Sequence, residues 1–290
     1  MATRQRTVDL PASGTIFVVT DLQGNVRDFE RIASIFEAHQ AEHGDGYLLV
    51  TGDLVHGPEY TREQWPPHLG SFYLGDSCSV LELAEAVQAR HPGRVHYLLG
   101  NHEHAHVGGP VVGKFFPDEA ARLEQLLGSA RTERVRAWLR SWPLVAVAPR
   151  AGLCFLHAAP AAPISHRDDL EALPFDGGDG ADPALAHLLV ALLWSRGTTA
   201  ERARSFLRAF GPGLTAAVHG HDVVREGFAV EHGACLCLSS SFGCYDGDKV
   251  YLRWDLAERA PSAEALARRG LCRLWPEEPT VYLEAGRIEP

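Results

Sequence analysis

The chain has 290 residues, 46% of them hydrophobic, which is material for one large α/β core rather than two small ones. Its 27 basic and 37 acidic side chains leave a net charge of −10, a balance that argues against general binding to a nucleic-acid backbone while leaving room for a local basic pocket. No stretch is long and apolar enough to cross a membrane, Met1 to Asp9 reads as polar rather than as a secretory leader, and six cysteines without regular spacing read as reduced thiols, so a cytoplasmic address is the default.

In chain order, the apolar run Thr15 to Thr20 predicts a strand that stops at Asp21-Leu22-Gln23-Gly24-Asn25. Phe29, Ile32, Ile35 and Phe36 then recur at helical spacing between Val26 and His39. Tyr47 to Thr51 is a second strand, ending at Gly52-Asp53. Val55 to Cys78, with Pro58, Trp65, Pro66, Pro67, Gly70 and Gly75, is too long for an ordinary connection and is expected over the rim of a site. Ser79 is the expected cap of a helix reaching Arg90, with Leu81, Ala84 and Val87 inside and Pro92-Gly93 as its stop.

A third strand, Val95 to Leu99, ends at Gly100-Asn101-His102-Glu103 and delivers an amide, an imidazole and a carboxylate at one turn. Helices are expected at Asp118 to Leu127 and Thr132 to Ser141, strands at Pro143 to Val147 and Leu153 to Leu156, the latter followed by His157. Asp176-Gly177-Gly178-Asp179-Gly180 reads as a surface loop. Helices at Pro183 to Ser195 and Ala200 to Phe210 precede the strand Leu214 to Val218, which runs into His219-Gly220-His221. Further strands are expected at Gly227 to Val230, Ala234 to Leu238, Lys249 to Trp254 and Val281 to Ile288, with Cys235 and Cys237 on one buried face. No repeat or linker divides the chain, so residues 1–290 read as a single domain: core about 14–256, insertion about 55–78, extension about 257–290.

Five strands thus end at side chains that can bind a metal or move a proton, and in α/β proteins such groups collect at the carboxyl ends of the strands. Taken singly, Asp21 could cap a helix, Asp53 close a turn and Asn101 bond a loop. Five such coincidences in order argue for one site.

These motifs resemble those of the calcineurin-like metallophosphoesterases, and within them the phosphoprotein phosphatase (PPP) family, of which the chain reads as a divergent bacterial-type member. Thr20-Asp21-Leu22-Gln23-Gly24, Gly52-Asp53-Leu54-Val55-His56-Gly57, Gly100-Asn101-His102-Glu103, His157 and His221 stand where that family has Gly-Asp-x-His-Gly, Gly-Asp-x-Val-Asp-Arg-Gly, Gly-Asn-His-Glu and two later histidines. Leu192-Leu193-Trp194-Ser195 and His221-Asp222-Val223-Val224-Arg225-Glu226-Gly227 match lesser motifs, and Leu238 to Cys244 falls where the family has Phe-Ser-Ala-Pro-Asn-Tyr-Cys. The likeness spans Ile16 to Leu256.

The resemblance implies two mixed β-sheets packed as a sandwich, helices outside, and a dimetal site at the strands' carboxyl ends. It implies two divalent ions, manganese first with iron or zinc as alternatives, held by Asp21, Gln23, Asp53, Asn101, His157 and His221, with Asp53 as the bridge. It further implies a water made nucleophilic by the ions, His102 as the general acid, and no phosphoenzyme. His219 shares a strand face with His221 and is expected behind the ligands; His104 and His106 read as rim residues.

The departures are specific. Gln23 replaces a histidine ligand, His56 and Gly57 occupy the stretch where the family has its acid-orienting Asp and phosphate-clamping Arg, and Leu99 stands where an Arg often precedes Gly-Asn-His-Glu. His56 is therefore expected beside the acid, and Arg196, Arg167, Arg225 or Arg62 as the replacement clamp. The expected activity is phosphomonoester hydrolysis on protein Ser/Thr residues, with a phosphorylated protein or small phosphoester as partner, no nucleic acid and no membrane, and with the oligomeric state open. Hydrolysis of nucleotides or dinucleoside polyphosphates is the alternative enzyme reading. A catalytically impaired module that binds phospho-ligands is the alternative of another class.

Overall fold

The computed structural model describes residues 5–171, 173–175, 182–241, 247–280 and 282. From the amino end, β1 (Thr7–Asp9) and β2 (Thr15–Val19) lead to α1 (Val26–His43), β3 (Gly46–Val50), α2 (Ser77–Arg90), β4 (Val95–Tyr97) and the single turn α3 (Asn101–His104). Then come α4 (Glu119–Leu127), α5 (Ser129–Leu139), β5 (Val145–Ala148), β6 (Leu153–Leu156), α6 (Pro183–Trp194), α7 (Ala200–Phe210) and β7 (Ala216–His219). The last elements are β8 (Phe228–Glu231), β9 (Cys235–Leu238), β10 (Val250–Asp255), α8 (Ala263–Arg269) and β11 (Leu271–Arg273).

The strands form two mixed sheets, one ordered β1-β5-β6-β7-β9-β8 and the other β11-β10-β2-β3-β4. In the second, β2, β3 and β4 are parallel; in the first, β7 is parallel to both β6 and β9. Period-two alternation explains the layering. Ile16 and Val18 of β2 meet Phe155 of β6, Val218 of β7 and Leu252 of β10 in a layer between the sheets. Their neighbours Phe17 and Val19 turn outward and pack with Phe29, Ile32 and Phe36 of α1. Buried on both faces, the central strands read as continuous apolar runs.

The helix starts follow local chemistry. Asn25 caps α1 by accepting from the Asp28 N–H, and α1 runs to His43, where Gly44 closes it at φ 72°. Asp76, not Ser79, caps α2: its carboxylate accepts from the Ser79 N–H at 2.9 Å and from the Ser79 hydroxyl at 2.6 Å. An acceptor three residues earlier meets the free N–H, so Ser79 lies in the first turn. The sequence also hid β1, α8 and β11; β1 has one apolar residue, Val8, and pairs in parallel with β5. The loop expected at Asp176 to Gly180, and the strand at Val281 to Ile288 apart from Tyr282, fall outside the described residues.

The inter-sheet layer holds Phe155 with no solvent exposure. Phe155→Ala should cost about 3–5 kcal/mol, read as a lower urea midpoint at unchanged slope; a midpoint within error of the parent would contradict this packing.

Candidate active site

The carboxyl ends of β2, β3, β4, β6 and β7 converge, and the residues that follow them form one buried group: Asp21, Gln23, Asp53, Asn101, His102, His157 and His221. The backbone there is unusual. Asp21 (φ 53°), Gln23 (44°), Asp53 (55°), His56 (67°) and His221 (69°) all adopt the left-handed region, which non-glycine residues seldom enter. Such conformations persist where the surroundings over-determine them, and they gather at functional sites.

One side chain fixes the geometry. The buried Glu103 carboxylate accepts from the backbone N–H groups of Asp53 (2.9 Å), Leu54 (2.8 Å), Val55 (3.2 Å) and Gly100 (3.1 Å), tying the loop after β3 to the start of α3. Gly100 is required because a Cβ there would lie 2.3 Å from Asp53 Oδ1. With the loops so joined, the His102 N–H donates to Asp53 Oδ1 at 3.2 Å.

The donor set fits cations. His157 Nδ1 donates to the Thr51 carbonyl at 2.9 Å, which leaves the lone pair of Nε2 directed into the site. That nitrogen lies 2.9 Å from Asn101 Oδ1, 3.2 Å from His221 Nδ1 and 3.3 Å from Asp53 Oδ1. Burial pushes His157 well below the usual histidine range and His221 down to about 3, so both rings are neutral and have a lone pair to offer a cation. Across from them, Asp21 accepts from the Thr20 hydroxyl and the His221 N–H, while its other oxygen, Oδ1, is buried without a partner.

Burial raises Asp21 to about 7, and burial followed by the charges of Asp21 and Glu103 raises Asp53 well above the carboxylate range. Two carboxylates so placed ionise together only beside added positive charge. Divalent cations supply it.

The group opens into a cleft of about 330 Å³ whose apolar wall is Val112, Trp194 and Val223 and whose cations are Lys114 and Arg196. Of the arginines expected as clamps, Arg196 lines the cleft, held by the His221 carbonyl (3.2 Å) and Asp222 (2.9 Å). Arg167 instead pairs with Asp9 on edge strand β1, Arg225 bonds Tyr282, and exposed Arg62 covers the Phe72 ring, so none of these three lines it.

Lys114 carried no sequence signal, being a lone lysine in an irregular stretch. Its ammonium donates to Gln23 Oε1 at 2.8 Å, so the amide oxygen expected on a metal is turned toward a cation of the chain itself. From the 55–78 segment the Tyr73 hydroxyl donates to the Gln23 carbonyl at 3.0 Å, and no described residue of that segment lines the cleft.

The histidines after Asn101 correct an expectation. His104 and His106 are buried, because the segment turns helically instead of alternating: His102 and His106 share a face, while His104 points away to the Phe175 carbonyl at 3.0 Å. His56 joins that face, 3.0 Å from His102 Nδ1 and 2.9 Å from His106 Nε2. His219 ends β7, fully buried, with Nδ1 3.1 Å from the Gly220 carbonyl.

Residues 14–225 match the family model described as calcineurin-like phosphoesterase. The chain belongs to that family. Calcineurin-like phosphoesterases are hydrolases built around metal ions, and the clusters above supply suitable donors. The fold is similar to a protein serine/threonine phosphatase of Saccharomyces cerevisiae with similarity to human phosphatase PP5, at 17% identity and TM-score 0.58, covering 87% of this chain and 76% of that one. It is also similar to the cold-active protein-tyrosine phosphatase of a psychrophile Shewanella sp., at 16% identity and TM-score 0.53, covering 89% and 82%. No curated protein sequence matches at a significant level. No described helix is long and apolar enough to cross a membrane.

In this phosphoesterase, Glu103→Gln places an amide N–H₂ against backbone donors and should cost about 1–3 kcal/mol, seen as a lower thermal midpoint together with weaker metal retention. The raised carboxylates also set a pH dependence. A folded-state value of about 7 for Asp21, above its ordinary 3.8, means that the metal-free native state binds the extra proton. Stability of the chelated protein should therefore fall as pH rises from about 4 through 7, and added divalent ion should reverse the fall. A chelated protein that gains stability over that range would contradict this charge balance.

Proposed function

We propose that this phosphoesterase hydrolyses phosphomonoesters on protein serine and threonine side chains. The observation that carries the reading is the cleft itself, where Lys114 and Arg196 stand beside Asp53, Asn101, His102 and His221. Two cations at the mouth of a group of metal ligands suit the oxygens of a phosphoryl group, and guanidinium is well matched to them. Asp21, Asp53, Asn101, His157 and His221 would hold the ions, with Gln23, whose Oε1 accepts from Lys114, beside them. When bound, the ions, manganese in this reading, supply positive charge for the phosphoryl oxygens and lower the pKa of an attacking water.

The chain's own groups do the rest. Lys114 and Arg196 orient the phosphate, and Val112, Trp194 and Val223 limit water at the reacting atoms. His102, whose Nε2 lies 3.7 Å from Asp53 Oδ2, hands a proton to the leaving oxygen. Direct transfer to water needs no phosphoenzyme.

A protein substrate is supported by a second groove of about 900 Å³ between the Ala161–Ile164 segment and helices α6 and α7. It shares Trp194 with the active cleft, so a chain carrying the phosphate could continue into it. A cleft of about 330 Å³ has room for a phosphorylated side chain. The folds of the serine/threonine and tyrosine phosphatases named above agree with this class. The five described cysteines are free thiols, which supports the cytoplasmic address in this proposal.

Phosphoserine and phosphothreonine peptides should be turned over with higher kcat/KM than nucleotides or diadenosine polyphosphate when assayed with manganese. Asp53→Asn should abolish turnover. Lys114→Ala and Arg196→Ala should each lower kcat/KM by about 10- to 100-fold, the worth of one charged hydrogen bond. Faster turnover of nucleotides would move the assignment to the nucleotide reading; binding of phosphopeptides without turnover under any ion would support the binding module.

A further inference from the structure

Beyond the dimetal ligands lies a second group of donors, reached through His102. His56 Nδ1, His102 Nδ1 and Glu119 Oε2 converge from the loop after β3, from α3 and from the start of α4. All three side chains are buried. The two nitrogens are 3.0 Å apart, and the oxygen is 3.6 Å from His102 and 3.8 Å from His56. A point equidistant from these atoms is about 2 Å from each, the length of a zinc–nitrogen or zinc–oxygen bond.

The proton inventory points the same way. Arg136 holds Glu124 as a carboxylate through bonds of 2.9 and 2.7 Å. Glu124 Oε1 lies 3.0 Å from His106 Nδ1, so that nitrogen carries the proton and donates. In the arrangement where each ring carries one proton, His106 Nε2 accepts from His56 Nε2 at 2.9 Å. His56 Nδ1 is left with a lone pair directed at His102 and Glu119. A donor on a carboxylate, passed through one ring to another, is how ligating histidines are commonly oriented.

Glu119 supplies the independent sign of a ligand. Its Oε1 accepts from the Phe115 N–H at 3.0 Å, but Oε2 is buried without a hydrogen-bond partner and faces the two imidazoles. An unpaired carboxylate oxygen in the interior is costly unless a proton or a cation meets it. For His102 the cation resolves a conflict. A hydrogen bond to His56 would draw the His102 proton to Nδ1 and bare Nε2 toward the Asp53 carboxylate. An ion on Nδ1 leaves the proton on Nε2, where the proposed acid needs it.

We propose that His56, His102 and Glu119 form a further metal site for a zinc-class ion, which fixes the tautomer of His102 in place of a carboxylate acceptor. Two imidazoles and one carboxylate are an established zinc donor set with an open fourth position. The last step of this argument rests on the phosphatase reading of His102; the metal site itself does not.

The test is metal analysis by mass spectrometry after loading with Zn²⁺ and dialysis against metal-free buffer, on parent, Glu119→Gln, His56→Gln and His157→Ala, with Co²⁺ absorption spectra on the same set and thermal melts as a check of folding. Glu119→Gln is expected to retain one ion fewer than the parent and to lose the cobalt bands of the His₂Glu site. His56→Gln gives the same loss if Glu119→Gln does not fold. His157→Ala should lose ions from the dimetal group while keeping this one. Equal ion counts and unchanged cobalt spectra in the parent, Glu119→Gln and His56→Gln would overturn the proposal and leave a hydrogen-bonded histidine chain beside a protonated Glu119. An ion retained in His157→Ala at the full parental count, yet lost in Glu119→Gln, would uphold this site and overturn the dimetal reading.

Discussion

Four backbone N–H groups ending on one buried carboxylate hold the centre of this molecule together. Glu103 receives them from Asp53, Leu54, Val55 and Gly100, and so fastens the loop after β3 to the helical turn after β4. A loop whose amides point inward onto an anion must turn its side chains elsewhere, and here Asp53 is turned toward the groups after β2, β6 and β7. Left-handed backbone at Asp21, Gln23, Asp53, His56 and His221 is the cost of bringing five strand ends to one place. The sandwich meets it from packing. Ile16 and Val18 of β2, Leu49 of β3 and Val218 of β7 fix the positions of the strands whose tips carry the strained residues.

Charge governs the next level. Asp21, Asp53 and Glu103 are buried close together, and Lys114 is the cation of the cleft that acts on both aspartates. One ammonium cannot balance three carboxylates, so the apo site retains protons or recruits ions. On the other side of His102 the balance is reversed: three imidazoles, His102, His56 and His106, lie between Glu119 and Glu124. The centre is thus a sequence of acidic, basic and acidic groups. His102 is the residue shared by both halves, with Nε2 on the cleft and Nδ1 on the histidine cluster.

The parts legible in the sequence were those where one residue type answers to one physical need. Apolar runs broken by Asp21, Asp53, Asn101, His157 and His221 announced strands with converging polar side chains at their ends, because a strand buried on both faces has no other place for a polar side chain. Ser79 was expected to cap α2, but Asp76, three residues earlier, does so, a choice that only the geometry of the turn decides. The pairing of His102 with His106 required knowing that Asn101 begins a helical turn, where spacing by four replaces alternation. Lys114, Glu119 and Glu124 gave no sign at all. They act through contacts across the chain, to Gln23, to His56 and His102, and to His106 and Arg136, and such contacts have no local spacing to read. Arg167 and Arg196 make the same point, as loop arginines alike in sequence: one is spent on Asp9 at a sheet edge and the other stands in the cleft.

The replacement of an Asp-Arg pair by His56 and Gly57 then reads as an exchange of parts rather than a loss. In the proposed reading, arginine's task of meeting phosphate would pass to side chains from other elements that line the cleft, Lys114 between α3 and α4 and Arg196 after α6. Gly57 allows this, because a Cβ there would lie 2.2 Å from the Gln23 carbonyl oxygen and would push apart the loop that carries Lys114's partner. In place of that aspartate, His102 Nδ1 faces His56, a group that cannot hold negative charge and that would by itself draw the His102 proton to Nδ1, so the tautomer is left to the proposed ion. An anionic acceptor works alone, whereas a neutral ring works only within a chain of donors. That chain runs outward from buried His106 to the half-buried Glu124 and Arg136, none of them at a strand tip.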